Sequence, residues 1–143
     1  VLLIKNLREM NNDYGVSHKI TKEGLLKMFY NCICSSSIGF GCIELDYDQK
    51  SYDDARNSLR KDGNHPCWED VIVEMLRVGY RLAWIDVEED DFAKRHWFTL
   101  ADLMDNFDNI EAHHLADMLG GGDDAVTHDS ILQCLLLGEI VYG

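Results

Sequence analysis

Two pairs of carboxylates have the spacing to hold a metal ion. Asp86 and Glu88 lie two residues apart at the end of an aromatic and β-branched run, and Asp46 and Asp48 repeat the arrangement after an earlier apolar run. Side chains at i and i+2 of a strand share a face, and paired carboxylates at a strand end are a common seat for Mg²⁺ or Mn²⁺ in phosphoryl chemistry. If the two strands were neighbours, Asp46, Asp48, Asp86 and Glu88 would converge, and the chain would be a divalent-metal-dependent enzyme on nucleotides or phosphodiesters. The plainer reading is four solvated acids in a chain rich in them.

A second polar cluster, Asp123-Asp124-Ala125-Val126-Thr127-His128-Asp129, follows three glycines. Its spacing fits neither an EF-hand loop nor H-E-x-x-H. Asp and Thr at this place are expected to cap a helix, since side-chain oxygens there accept its unpaired N–H groups. His113 and His114 are adjacent, so on a helix they point about 100° apart and are expected not to share one small site. Five cysteines, an odd number with only a C-x-C pair, favour free thiols in or near the core over a disulfide framework or a zinc site. No nucleophile elbow, P-loop or dinucleotide fingerprint is present. No catalytic residue and no resident cofactor are therefore assigned, with Mg²⁺ or Mn²⁺ reserved for the carboxylate alternative.

The distribution of charge is more informative than any motif. The 143 residues carry a formal charge of −13, with 26 acids against 13 Lys and Arg. The last base is Arg95, and nine acids follow it without a single Lys or Arg. Asp102, Asp105, Asp108, Glu111, Asp117, Asp123 and Asp124 are the candidate partner-binding residues. Such a surface repels phosphate backbones and attracts basic proteins. Direct nucleic-acid binding is thus not expected. No apolar run is long enough to span a bilayer, and a cytoplasmic setting is the simplest reading.

These residues must be carried by elements that can be read from pattern. Thr21 caps a helix over about 22–34, with Leu25, Leu26, Met28, Phe29 and Cys32 on one face. Ile38 to Leu45 reads as a strand containing two glycines, which suggest a bulge. Ser51 caps a short helix to Arg60, and Pro66 opens another to Val78, stopped by Gly79. Tyr80 to Val87 and Phe92 to Phe98 form a hairpin. Thr99 with Asp102 resembles a capping box. Asn109 caps a further helix, a third of this series runs over 124–137, and Glu139 to Tyr142 closes the chain as a short strand. The expectation is one α+β domain over 1–143, with residues 1–19 loosely ordered. A small mixed, mostly antiparallel sheet of about four strands packs with five or six helices.

Several local runs together resemble a family of small acidic proteins encoded by bacteriophages and prophages of gut bacteria. They are Ser37-Ile38-Gly39-Phe40-Gly41, Tyr47 with Tyr52, Glu69-Asp70, and Asp86-Val87-Glu88. The C-terminal part adds Asp123-Asp124-Ala125, Thr127, Asp129, Ile131-Leu132-Gln133, Gly138-Glu139-Ile140 and Gly143. The resemblance spans about Ile20 to Gly143 and implies origin, without assigning an activity, cofactor or catalytic residue. With the charge pattern it leads to the expectation of a non-catalytic accessory protein in the bacterial host cytoplasm. Its acidic surface would bind a basic protein partner, as an inhibitor of a host nucleic-acid-binding or defence protein does. A structural component forming homo-oligomers is a further alternative.

Overall fold

Three residues in succession with positive φ, Gly39 (57°), Phe40 (52°) and Gly41 (89°), set the first departure from the expected topology. A run of left-handed residues cannot continue a strand. The chain folds back through a 3-10 turn, so that Ile38 bridges Ile43 and the strand proper, β1, is Ile43–Asp46. The computed structural model describes residues 20–35, 37–61, 63–89, 91, 94–122 and 124–143. The expectation for 1–19 lies outside them, as does Asp123.

Among the described residues, six helices and two more strands stand around β1. Helix α1 is Lys22–Ser35, α2 Gln49–Arg60 and α3 Trp68–Arg77. Strands β2 (Leu82–Asp86) and β3 (His96–Phe98) form the expected hairpin. Helices α4 (Leu100–Asn106), α5 (Ala112–Gly120) and α6 (Ala125–Leu137) follow. The sheet has the order β1-β2-β3 and is antiparallel throughout, in register Ile43↔Asp86 and Leu82↔Phe98.

The α+β class stands, with three strands among the described residues instead of about four. Glu139 to Tyr142 is not a strand. Its backbone is satisfied by a side chain: Gln133 Oε1 accepts from the N–H groups of Val141 and Tyr142 (2.8 Å each), and Gln133 Nε2 donates to the Tyr142 carbonyl (2.9 Å). One buried amide therefore replaces a ladder.

Capping chemistry explains the other boundary shifts. Asp48, not Ser51, caps α2, with the Ser51 N–H (3.1 Å) and hydroxyl (3.0 Å) both donating to its carboxylate. Helix α3 opens two residues after Pro66, where Asp70 reaches back to the Cys67 N–H at 3.0 Å. Gly79 (φ 96°) follows its end as expected. The Thr99–Asp102 box forms, with Asp102 accepting from the Thr99 N–H (2.8 Å) and hydroxyl (3.2 Å). Asn109 instead closes a 3-10 turn over Phe107–Asn109, and Glu111 takes the N-cap of α5.

Helix α6 is the centre of the molecule. Ten consecutive residues, Thr127 to Leu136, are buried, as expected of a helix covered on all sides. Helices α1, α4 and α5 pack on it, α1 also meets α3, and α3 carries α2. Phe29, Leu26, Ile72, Met75, Phe107, Ile131, Leu132 and Leu135 are among the largest fully buried side chains of the core.

Candidate functional site

The acids that follow Arg95 are placed by three helix starts and one turn. Asp102 and Asp105 ride on α4, Asp108 on the following turn, Glu111 at the N-cap of α5, Asp117 within α5, and Asp124 at the N-cap of α6. All six are exposed, and so is Glu139. Amphipathic spacing is the reason: Leu100, Leu103, Phe107, Ile110 and Leu115 turn inward and leave the intervening acids on the water side. Asp102 serves its capping box, and Asp124 accepts from the Thr127 N–H at 3.0 Å. That hydrogen bond holds the Asp124 carboxyl below its ordinary pKa. Asp105, Asp108 and Asp117 cap no helix among the described residues.

Several of the described bases are engaged elsewhere. Lys50 pairs with Asp54 (3.2 Å), Arg56 with Asp53 (3.1 Å), Arg77 with Glu23 (3.1 Å) and Glu74 (2.6 Å), and Arg95 with Asp46. Arg81 lies over the ring of Trp97, 3.9 Å from its centroid. Among the described residues no Lys or Arg pairs with any acid beyond residue 95. The result is a set of exposed carboxylates that no Lys or Arg among the described residues pairs with, in the stretch where the sequence carries acids without bases.

One acid of that run is different. Asp129 is only 1 % exposed and accepts from the Phe40 N–H (3.1 Å) and from Gln133 Nε2 (2.6 Å). It thereby fixes the left-handed turn at residues 39–41 from the interior of α6. Thr127, His128, Ser130 and Gln133 are buried beside it, and His128 Nδ1 meets the Ser35 hydroxyl. Sequence reading missed this polar core, treating Asp129 as part of a cap. The available signal was spacing: Asp129 and Gln133 at i, i+4 share one helix face with the apolar residues around them.

The four carboxylates proposed from the sequence as metal ligands are not brought together. Their strands are neighbours but antiparallel, and Asp46 lies opposite Ala83 while Asp86 lies opposite Ile43. The two acids therefore sit three positions apart on the ladder, about 10 Å. Each has a separate occupation. Asp46 pairs with Arg95, Asp48 caps α2, and Asp86 accepts from the Tyr142 hydroxyl and from the Glu88 N–H (2.9 Å). Glu88 lies 4.0 Å from Cys42 Sγ. The hydrogen bond to Asp86 pushes the Tyr142 phenol up to about 12, and burial first, then the Glu88, Asp86 and Asp129 charges, pushes the Cys42 thiol up. A raised thiol is a poor nucleophile at neutral pH. No disulfide joins any two of the five cysteines; Cys32 and Cys134 are buried, whereas Cys34 and Cys67 are at the surface.

The histidine pair does what its helical spacing was expected to forbid. The His113 and His114 rings lie 3.9 Å apart, tilted by 42°, and His113 Nδ1 is 3.2 Å from Glu111 Oε2. Both histidines sit in the first turn of α5, where no preceding turn restricts χ1 and both rings can swing to one side. Partial burial, then the neighbouring His113, depresses the His114 pKa.

Comparison with family models, with curated proteins and with solved structures finds no match to this chain. No helix among the described residues is long and apolar enough to cross a membrane.

Proposed function

We propose that this chain is a non-catalytic accessory protein of bacteriophage type that works inside the bacterial cell. It docks its exposed carboxylates on a basic surface of a protein partner. The observation that carries this reading is the pairing pattern: the ion pairs formed by Lys and Arg draw on acids up to Glu74, leaving Asp105, Asp108 and Asp117 exposed and unpaired by Lys or Arg among the described residues. Exposed charges of one sign steer association and set its salt dependence more than its affinity. A partner that normally holds nucleic acid presents the matching surface, so occupancy of that surface by these acids would inhibit it.

The test is capture from bacterial lysate on the immobilised protein and on its D105N/D108N/D117N variant. The protein is expected to retain a basic partner at low salt and to release it as salt rises, because the screening length falls from about 10 Å at 0.1 M to about 3 Å at 1 M. The variant is expected to retain much less. An identical captured set on both baits, insensitive to salt, sinks the reading.

A further inference from the structure

We propose that Glu111, His113 and His114 form a surface site for a divalent transition-metal ion of the Zn²⁺ type. It would be bound through one carboxylate oxygen and two imidazole nitrogens, with the remaining positions open to water. The three side chains offer one ligand atom each, all within 4.8 Å of one another. A tetrahedral ion with bonds of about 2.0–2.2 Å needs ligand atoms about 3.4 Å apart, so closure takes only small rotations. Glu111 and His113 are exposed and free to make them.

Three further observations favour a ligand over a purely structural role. First, Glu111 occupies the N-cap of α5 but its side chain accepts no capping hydrogen bond, so the carboxylate is not committed to the helix. Second, its oxygen already lies 3.2 Å from His113 Nδ1, close to the separation that two ligands of one tetrahedral ion require. Third, Asp117 follows His114 by three residues on the same helix, α5, where side chains three apart are neighbours, and the acid-only run raises the local concentration of cations. That field opposes the unfavourable effect of a helix N-terminus on a positive ion. Two imidazoles with one carboxylate select Zn²⁺, Ni²⁺, Co²⁺ or Cu²⁺; Mg²⁺ and Ca²⁺ require oxygen ligands throughout. The site does not depend on the docking function proposed above, and alanine at the histidines leaves the exposed carboxylates in place.

The experiment is calorimetric titration of the untagged full chain with Zn²⁺, with Mg²⁺ as the control ion, and a parallel Co²⁺ absorption spectrum. One Zn²⁺ per chain is expected, with no binding of Mg²⁺ at the same concentrations. His113→Ala, His114→Ala and Glu111→Gln should each weaken Zn²⁺ by about tenfold or more, whereas D105N/D108N should change it by less than about threefold. His113 and Glu111 are exposed, so their variants decide the matter even if His114→Ala proves poorly folded. Absence of Zn²⁺ binding overturns the assignment. So does equal affinity in the variants, or a sulfur-to-cobalt charge-transfer band showing that the ion sits on cysteine.

Discussion

Gln133 ties four polar groups together from the interior of α6. It is fully buried, and its amide bonds Asp129, the Tyr142 carbonyl and the N–H groups of Val141 and Tyr142. A Gln133→Leu substitution keeps the volume but strands these partners, and each stranded buried group costs about 1–3 kcal/mol. We expect a total loss of about 3 kcal/mol in urea unfolding, with the C-terminal segment released first. A loss below about 1 kcal/mol would mean that solvent replaces the amide. Nothing in the residue type announces this role. An isolated Gln among Ile131, Leu132, Cys134 and Leu135 reads as the solvent side of a helix, and only the depth of α6 reverses that reading. The paired carboxylates illustrate the opposite case. Their spacing was legible, but the strand direction that separates Asp46 from Asp86 was not, because i, i+2 alternation is the same in parallel and antiparallel sheets.

At the scale of elements, helix starts were the most legible feature wherever a side chain serves its own helix. The Thr99–Asp102 box and the Asp124 cap follow directly from local chemistry. Asp48 was visible too, but its proximity to Asp46 suggested a ligand when it is a cap. Strand ends were less legible, since the reversal at Gly39–Gly41 depends on Asp129, 89 residues away from Phe40. The two aspartate caps make a test in acid. Hydrogen bonds to Ser51 and Thr127 lower the carboxyl pKa values of Asp48 and Asp124 below the ordinary 3.8. A lowered native pKa means that the unfolded chain binds the proton more readily. The stabilisation is therefore complete above about pH 4 and disappears as pH falls through the native values. In acid titration of stability, D48N and D124N should each show a shallower loss below pH 4 than the unaltered protein. Parallel curves would show that the caps are not titrating.

At the scale of the whole molecule, charge is distributed in two regimes. Up to residue 95 the sequence mixes acids and bases, and all the described Lys and Arg ion pairs lie there; beyond it Lys and Arg are absent and acids remain. Composition alone revealed this asymmetry, and the fold adds that the carboxylates of 102–117 face water, with Asp129 withdrawn into the core. Self-repulsion of this kind is relieved by screening. Thermal melts should show a higher Tm at 0.5 M than at 0.02 M NaCl, with a smaller rise for D105N/D108N/D117N; equal rises would place the repulsion elsewhere. The grip of Gln133 on the chain end has a consequence for deuterium uptake. The amides of Val141 and Tyr142 belong to no sheet or helix, yet both donate to a buried side chain, so their exchange should be slowed until the terminal segment lets go of it. Two slowed signals from an outlying stretch of chain would then act as reporters of how often that stretch comes away from the interior.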